Sequence, residues 1–467
     1  MHGTGGVGAL RHWRGSWGQT VQESLFRHFP WRWALYWLIA PNLALVLMWP
    51  FGGPPMGKPL LIAGCLGLIC SQIPWLWLRR TAAVALTLWM VVLYVSRNFN
   101  IDPGQIAIAP TFFSEAAPLR SPLYAAGAVM VLFSLWLVYT QVPRVERFGI
   151  PMNWLLGFLA VIGLIRFDTF ATAATRGSYD VASMTVPFSS AVDAAHVATP
   201  HAARHNLVVI LVEALGVPTS PATAPLFAAD WNRREWTGRY VVHTGTVPYF
   251  GSTTNAEMRE LCGVWSLNQV ADFARTDCLP DRFRRAGYET TGVHAFTGAF
   301  FGRDTWWQQA GFDRTLFREQ LLAGGARACG GVFPGACDED VPSQIAARLK
   351  QARKPQMVYW VTLNSHLPVM EDDGLRTANC TYGGAALAAE SSLLCPLFLV
   401  HHRLSDAITR MALDPALPPT DILIVGDHMP PFFDRDARSR FDGRHVPWIL
   451  LEAKPQISAQ APAHAPA

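Results

Sequence analysis

Long apolar stretches crowd the first third of the chain, and beyond them the pattern changes to short apolar runs alternating with amphipathic ones. Five stretches stand out: Trp31–Trp49, Leu60–Leu78, Thr81–Val95, Leu123–Val142 and Ile150–Phe167. Most approach the ~20 residues an α-helix needs to cross a hydrocarbon core about 30 Å thick. Basic residues punctuate them unevenly. Arg11, Arg14 and Arg27 precede the first stretch, Arg79 and Arg80 follow the second, and Arg144 and Arg147 follow the fourth. The intervening pieces Phe51–Pro59 and Ser96–Pro122 are poorer in positive charge for their length. Positive charge marks the cytoplasmic side of spanning helices, so an N-terminus inside accounts for all three basic clusters. Trp31, Trp49, Trp77, Tyr94 and Tyr124 fall near the ends of the stretches, as interfacial aromatic belts do. Five crossings place everything after Phe167 outside.

The polar residues 1–30 lack the short apolar core and small-residue cleavage site of a signal peptide, and are expected to be a cytoplasmic N-terminus. A transmembrane domain follows over 31–168, then a small-residue linker over 169–205 with short helical patterns. From Asn206 continuous apolar runs recur: 206–213, 289–296, 356–364, 420–428 and 446–453. Each is rich in β-branched or aromatic residues, as buried parallel strands are. Helical patterns separate them at Leu279–Ala286, Pro342–Gln351 and about Leu387–Ala412. Strand–helix alternation of this kind predicts an α/β domain with a mostly parallel central sheet over 206–455. The Ala/Pro-rich tail 456–467 is expected to be disordered.

Composition supports the membrane reading. Hydrophobic residues make up 51% of the 467 residues and charged ones 15%, an apolar excess beyond that of ordinary soluble domains. The net charge of +4 is small, and no Lys/Arg run reads as a nucleic-acid surface. Cys65 and Cys70 lie in an apolar stretch and read as packing residues. The other six, Cys262, Cys278, Cys329, Cys337, Cys380 and Cys395, lie in the α/β part, where an even number suits disulfides in an oxidising compartment. Fifteen pairings are open; the sequential ones are favoured because each closes a short local loop.

Candidate chemistry gathers where strands end, the place where open α/β sheets bind ligands. Glu213 closes the first run, Asp427 and His428 close the fourth, and His366 follows the third. Thr253 and Thr254 stand at a helix start just after Gly251, in VPYFGSTTNAEMRELCG. A threonine hydroxyl becomes a nucleophile when a metal or base lowers its pKa. Carboxylates, an imidazole and a hydroxyl make an O/N donor set suited to Zn²⁺ or Mn²⁺.

From Asn206 to about Glu452 the chain resembles the extracytoplasmic catalytic domain of the alkaline phosphatase superfamily, in its sulfatase-like membrane phosphotransferases. The similar branches are the lipoteichoic acid synthase-like phosphoglycerol transferases and the phosphoethanolamine transferases, which also carry five spans ahead of that domain. LVVILVEALG matches the family's opening metal strand, GSTTNAEMRELCG its nucleophile helix and IVGDHMP its late Asp-His pair. The resemblance implies Glu213, Thr253, Asp427 and His428 as ligands of one or two divalent ions, Zn or Mn. It implies His445, in GRHVPWIL, and His366, in NSHLP, as further catalytic residues. The synthase-like pattern puts the nucleophile four residues before an acidic one, as Thr253 precedes Glu257; the phosphoethanolamine branch puts it on Thr254. HAFTGAFFGRD resembles the segment holding a phosphoglycerol headgroup, implying His294, Phe301 and Arg303, with Phe301 where the family pattern has a tryptophan. Three local disulfides resemble the phosphoethanolamine branch instead.

The expected activity is therefore metal-dependent transfer of a phospholipid headgroup, phosphoglycerol or phosphoethanolamine, onto a cell-envelope glycan or glycolipid through a phospho-threonine. A phosphodiester or sulfate ester hydrolase is one alternative, and a catalytically inactive membrane scaffold of a glycan-assembly complex is another. CLPDR (278–282) resembles the sulfatase signature Cys-x-Pro-x-Arg, but the paired aspartates and downstream Leu-Thr-Gly of sulfatases are missing. The expected location is a bacterial inner membrane, with the catalytic domain on the periplasmic side.

Overall fold

The computed structural model describes residues 28–50, 53–99, 114–173, 179, 186–200, 205–369 and 371–455. The expected cytoplasmic segment (all but its last three residues), much of the linker and the 456–467 tail lie outside them. The chain divides into two compact units, one of residues 1–98 and 126–173, the other of residues 99–125 and 174–467.

Helices make up the first unit. They include α1 (Gly57–Cys70), α2 (Leu76–Phe99), most of α3 (Pro122–Gln141) and α4 (Pro151–Ala171). Three stretches, Leu76–Asn98, Pro122–Arg144 and Pro151–Ala171, are long and apolar enough to cross a membrane. Among the described residues this is two fewer than the five expected. The apolar run Leu60–Leu78 is broken, because α1 stops at Cys70 and α2 starts at Leu76. Pro74 lies between them; it has no N–H to donate, and it disfavours helical geometry at Ile73. The first run is helical but irregular. It passes through a π turn at Ala34–Ile39 and a 3-10 turn at Ala40–Asn42, where Pro41 interrupts the bonding ladder, before resuming at Leu43–Met48.

A seven-stranded sheet organises the second unit. Its strands are β1 (Asn206–Val212), β2 (Tyr240–Pro248), β3 (Glu289–His294), β4 (Arg314–Leu316), β7 (Gln356–Val361), β8 (Thr420–Gly426) and β9 (His445–Ala453), in the order β2-β9-β8-β1-β7-β3-β4. A separate hairpin pairs β5 (Ala328–Cys329) with β6 (Gly335–Ala336). The five central strands from β8 to β4 run parallel; β9 and β2 close one side with antiparallel pairings, β9 to β8 and β2 to β9. Every residue of β1, β7 and β8 is buried, as a sheet covered on both faces requires. All five anticipated strands form. β2 was not anticipated: YVVHTGTVP is polar and mostly exposed or half-exposed, an edge strand with no continuous apolar run. The helix expected over Leu387–Ala412 is two helices, Gly384–Glu390 and α7 (Leu394–Ala412), separated where Ser391 turns extended.

Three disulfides join Cys262 to Cys278, Cys329 to Cys337 and Cys380 to Cys395, the sequential pairing. Cys65 and Cys70 are free. Residues 114–120 belong with the second unit. Ala117 N donates to Val332 O at 2.8 Å, and Arg318 pairs with Glu115 at 2.8 Å.

Candidate active site

Parallel β1 and β8 are neighbours, so their carboxyl ends deliver Glu213 and Asp427 side by side. Two local features lock this junction. Ala214, immediately after Glu213, has a left-handed backbone (φ 55°), a strained conformation for a residue with a Cβ. Its N–H donates to Asp427 Oδ1 at 2.8 Å. A Cβ on Gly426 would lie 2.0 Å from the Leu215 carbonyl oxygen, so only glycine lets the two strand ends approach this closely.

Thr253 is the first residue of α5 (Thr253–Cys262), which starts after Gly251 in a left-handed turn (φ 74°). Asn255 Oδ1 accepts from Ser252 N at 3.1 Å and holds the helix start. Thr253 Oγ1 donates to Glu213 Oε2 at 3.0 Å and lies 3.5 Å from His428 Nε2. Thr254 Oγ1 instead bonds Ser252 Oγ at 3.2 Å. His428 Nε2 stands 3.6 Å from Glu213 and 3.3 Å from Asp427.

Glu213, Asp427 and His428 form a buried group whose ligand atoms lie within 4.8 Å of one another, a possible metal-binding cluster. The donor set fits a divalent cation. Asp427 Oδ2 is buried and makes no hydrogen bond, an orphan acceptor that a cation would satisfy. His428 Nδ1 donates to the Met429 carbonyl at 2.9 Å, which leaves the Nε2 lone pair facing the carboxylates. Burial and then the Asp427 charge push the Glu213 carboxyl well above its ordinary range. Two close buried carboxylates repel each other unless positive charge joins them.

A second buried group adjoins the first along α5. Glu257, one turn after Thr253, receives Arg303 Nε at 3.1 and 3.2 Å, Arg303 NH2 at 2.7 Å and Trp307 Nε1 at 3.1 Å. Arg303 starts α6 (Arg303–Gln309), and its NH1 faces His294 Nε2 at 3.4 Å. His294, the last residue of β3, donates from Nδ1 to the Val361 carbonyl at 3.0 Å. Burial, then the Arg303 charge, hold the His294 pKa well below 6.5, so this imidazole is neutral and its Nε2 accepts. The planar fork of Arg303 thus grips Glu257, and only NH1 points elsewhere. Phe301, also left-handed (φ 58°), has its ring centroid 5.5 Å from the Arg303 guanidinium.

His366 lies beyond β7, with Nδ1 donating to Leu367 O at 2.8 Å. Burial lowers its pKa to about 4, and the charges of His428, Asp427 and Arg303 all act on it. His366 therefore stands within electrostatic range of both buried groups. His445, the first residue of β9, is held by Asp442, whose Oδ2 lies 3.2 Å from Nδ1, and its side chain is 44% exposed. Cys278 is consumed by its disulfide, so the CLPDR segment offers no free thiol.

Sequence reasoning missed several supporting residues. Ser365 Oγ donates to the Glu213 carbonyl at 2.7 Å, His401 Nε2 donates to the same oxygen at 3.1 Å, and Thr362 Oγ1 accepts from Glu213 N at 2.9 Å. Arg259 NH2 donates to Gly426 O at 2.9 Å while its Nε pairs with Glu260 at 2.5 Å. Ser365 next to His366, and charged residues inside the otherwise packed helix α5, were the available signals. His401 gave none, since it sits on an amphipathic helix like any half-buried imidazole.

The sulfatase family model matches residues 205–450, and the chain belongs to that family. No curated protein sequence matches the chain. Among solved structures it is similar to the integral membrane lipooligosaccharide phosphoethanolamine transferase A of Neisseria meningitidis, at 15% identity and a TM-score of 0.50. That match covers 92% of this chain and 88% of that one. The lipoteichoic acid synthase LtaP of Listeria monocytogenes matches at 13% identity and a TM-score of 0.42, over 54% of this chain and 66% of that one, just under two thirds. The Streptococcus pyogenes phosphoglycerol transferase GacH, solved with sn-glycerol-1-phosphate, matches at 16% identity and a TM-score of 0.38, over 53% and 68%. At 15% identity the match to the Neisseria transferase is one of fold: a helical N-terminal region with apolar helices, followed by a sulfatase-fold domain.

Proposed function

We propose that this protein is a membrane-anchored, metal-dependent phosphotransferase that moves a phospholipid headgroup onto a cell-envelope glycan or glycolipid. The observation that carries the reading is the placement of Thr253 Oγ1, 3.0 Å from Glu213 and 3.5 Å from His428 within the carboxylate–imidazole group. Glu213, Asp427 and His428, with Thr253, would hold Zn²⁺ or Mn²⁺. Such an ion, when bound, lowers the hydroxyl pKa and offsets charge on the phosphoryl oxygens.

Thr253 Oγ1 passes its proton to Glu213 Oε2, which already accepts its hydrogen bond, and attacks phosphorus; an O–P bond forms, the P–O bond to diacylglycerol breaks and the glycerol oxygen leaves with a proton. A phospho-threonine remains, and an acceptor hydroxyl displaces Thr253 in the second step. His366, neutral with Nε2 open, is suited to take the acceptor's proton. His445, the most exposed of these side chains, is suited to protonate the leaving glycerol oxygen. His294 and Arg303 NH1, which face each other at 3.4 Å, would receive the headgroup, with the Phe301 ring beside Arg303. The reading covers phosphoglycerol and phosphoethanolamine alike. The α/β unit acts outside the cytoplasm of a bacterial cell, beside the bilayer that holds its donor.

The test is headgroup transfer from a labelled phospholipid by the full chain. Thr253→Ala should cut it at least about a thousandfold, while Thr254→Ala retains activity. Chelation should abolish transfer, and Zn²⁺ or Mn²⁺ should restore it. Undiminished transfer by Thr253→Ala, or indifference to chelation, would refute the mechanism. Mass spectrometry of the trapped threonine adduct identifies the headgroup from its added mass.

A further inference from the structure

Cys262 ends α5, and its disulfide to Cys278 turns residues 263–277 into a loop fixed at both ends. The loop is tied to the candidate active site at two points. Asn255 Nδ2, in the first turn of α5, donates to Ser266 O at 3.2 Å. Asn268 Nδ2 donates to the Phe301 carbonyl, also at 3.2 Å. The stretch between these ties therefore borders both the nucleophile helix and the turn that carries Phe301.

Four polar side-chain atoms in this stretch are buried and make no hydrogen bond: Trp265 Nε1, Asn268 Oδ1, and Gln269 Oε1 and Nε2. Asn268 as a whole is only 6% exposed. Leaving such an atom unpaired is costly, and buried polar groups in folded proteins are overwhelmingly satisfied. Among the described residues, four unpaired atoms within five consecutive residues concentrate unmet donors and acceptors that a ligand offering both could satisfy. Two are donors and two are acceptors. An aromatic wall stands beside them. The half-buried Trp265 ring meets Phe250 edge-on, with centroids 4.9 Å apart, and Phe188 at 5.3 Å.

The chemistry of these atoms selects among ligands. A phosphate group only accepts, so it would leave Asn268 Oδ1 and Gln269 Oε1 unpaired. An acyl chain would leave all four unpaired. A sugar hydroxyl both donates and accepts, and the C–H face of a pyranose packs against aromatic rings. We infer that Trp265, Asn268 and Gln269 form a sugar-binding subsite that presents the acceptor glycan to the active site. The acceptor role rests on the transferase reading above; the sugar binding does not.

Saturation-transfer NMR on the full chain in lipid nanodiscs tests this, using neutral tetrasaccharides of glucose, galactose and N-acetylglucosamine as probes. Transfer to the pyranose protons of at least one probe is expected. It should fall about fivefold or more in Gln269→Ala, roughly the loss of one hydrogen bond, and in Trp265→Ala. It should persist in Thr253→Ala. A melting temperature close to that of the parent shows that each variant is folded. If Trp265→Ala is not, Trp265→Phe keeps the ring and removes only the N–H. Saturation of none of the three sugars, or equal saturation in the folded variants, would overturn the subsite. A single-turnover burst of diacylglycerol, measured on the same preparation, separates the two readings. Sugar binding without the burst removes the transferase and leaves the subsite standing, and a burst without sugar binding does the reverse.

Discussion

Asp338 is a buried carboxyl that supports the loop carrying Ser365 and His366. It follows Cys337, and its Oδ2 accepts from Leu363 N at 2.7 Å and Asn364 N at 2.6 Å, which fixes the turn leading to Ser365 and His366. Its Oδ1 is buried and makes no hydrogen bond. Burial raises the carboxyl from 3.8 to about 7, against the opposing effect of those two N–H groups. The folded pKa thus lies above the unfolded one. Between roughly pH 4 and pH 7 the folded protein keeps a proton that the unfolded chain has released, so this group's contribution falls as pH rises. Asp338→Asn removes that dependence, so the variant should gain stability relative to the parent from pH 5 to pH 7.5. Melting temperatures of both proteins across that range check it, and parallel curves would refute the assignment.

At the scale of elements, α5 is held from two sides. Its first turn aims Thr253 at β1 and β8, while Glu257, one turn on, draws in α6 through Arg303 and Trp307. The Arg303–Glu257 pair is almost fully buried, with side chains 2% and 0% exposed. Removing one member of such a pair strands the other charge and costs about 3–5 kcal/mol, whereas replacing both with apolar groups costs much less. Glu257→Ala should therefore lower the melting temperature more than Glu257→Ala combined with Arg303→Met. A double variant less stable than Glu257→Ala would show that the pair itself, not the stranded charge, dominates.

For the whole molecule, the expected topology places the α/β unit and its three disulfides outside the cytoplasm. A reporter that folds only in an oxidising compartment should be active when fused after residue 455 and inactive when fused between Arg79 and Arg80. A cytoplasm-specific reporter lighting up after residue 455 would invert the topology. Among the described residues three helices have the length to span, while Gly57–Cys70 is 14 residues and the helical run from Trp31 is interrupted at Pro41.

The sequence by itself determined the elements whose signals are local. Buried parallel strands announce themselves as unbroken apolar runs, so β1, β3, β7, β8 and β9 were legible, and the polar ends Glu213 and Asp427–His428 were legible with them. Proline and the interruption at Ser391 showed that boundaries are weaker signals than cores, since one missing N–H or one extended residue redirects a helix without changing its apolar pattern. What only the tertiary structure decided was which groups meet. Strand order made β1 and β8 neighbours, and the start of α5 turned Thr253 toward them while Thr254 turned to Ser252. The same packing gave Arg303's fork to Glu257 and tied Asn268 to the Phe301 carbonyl, pairings set by distances through space that no spacing along the chain encodes.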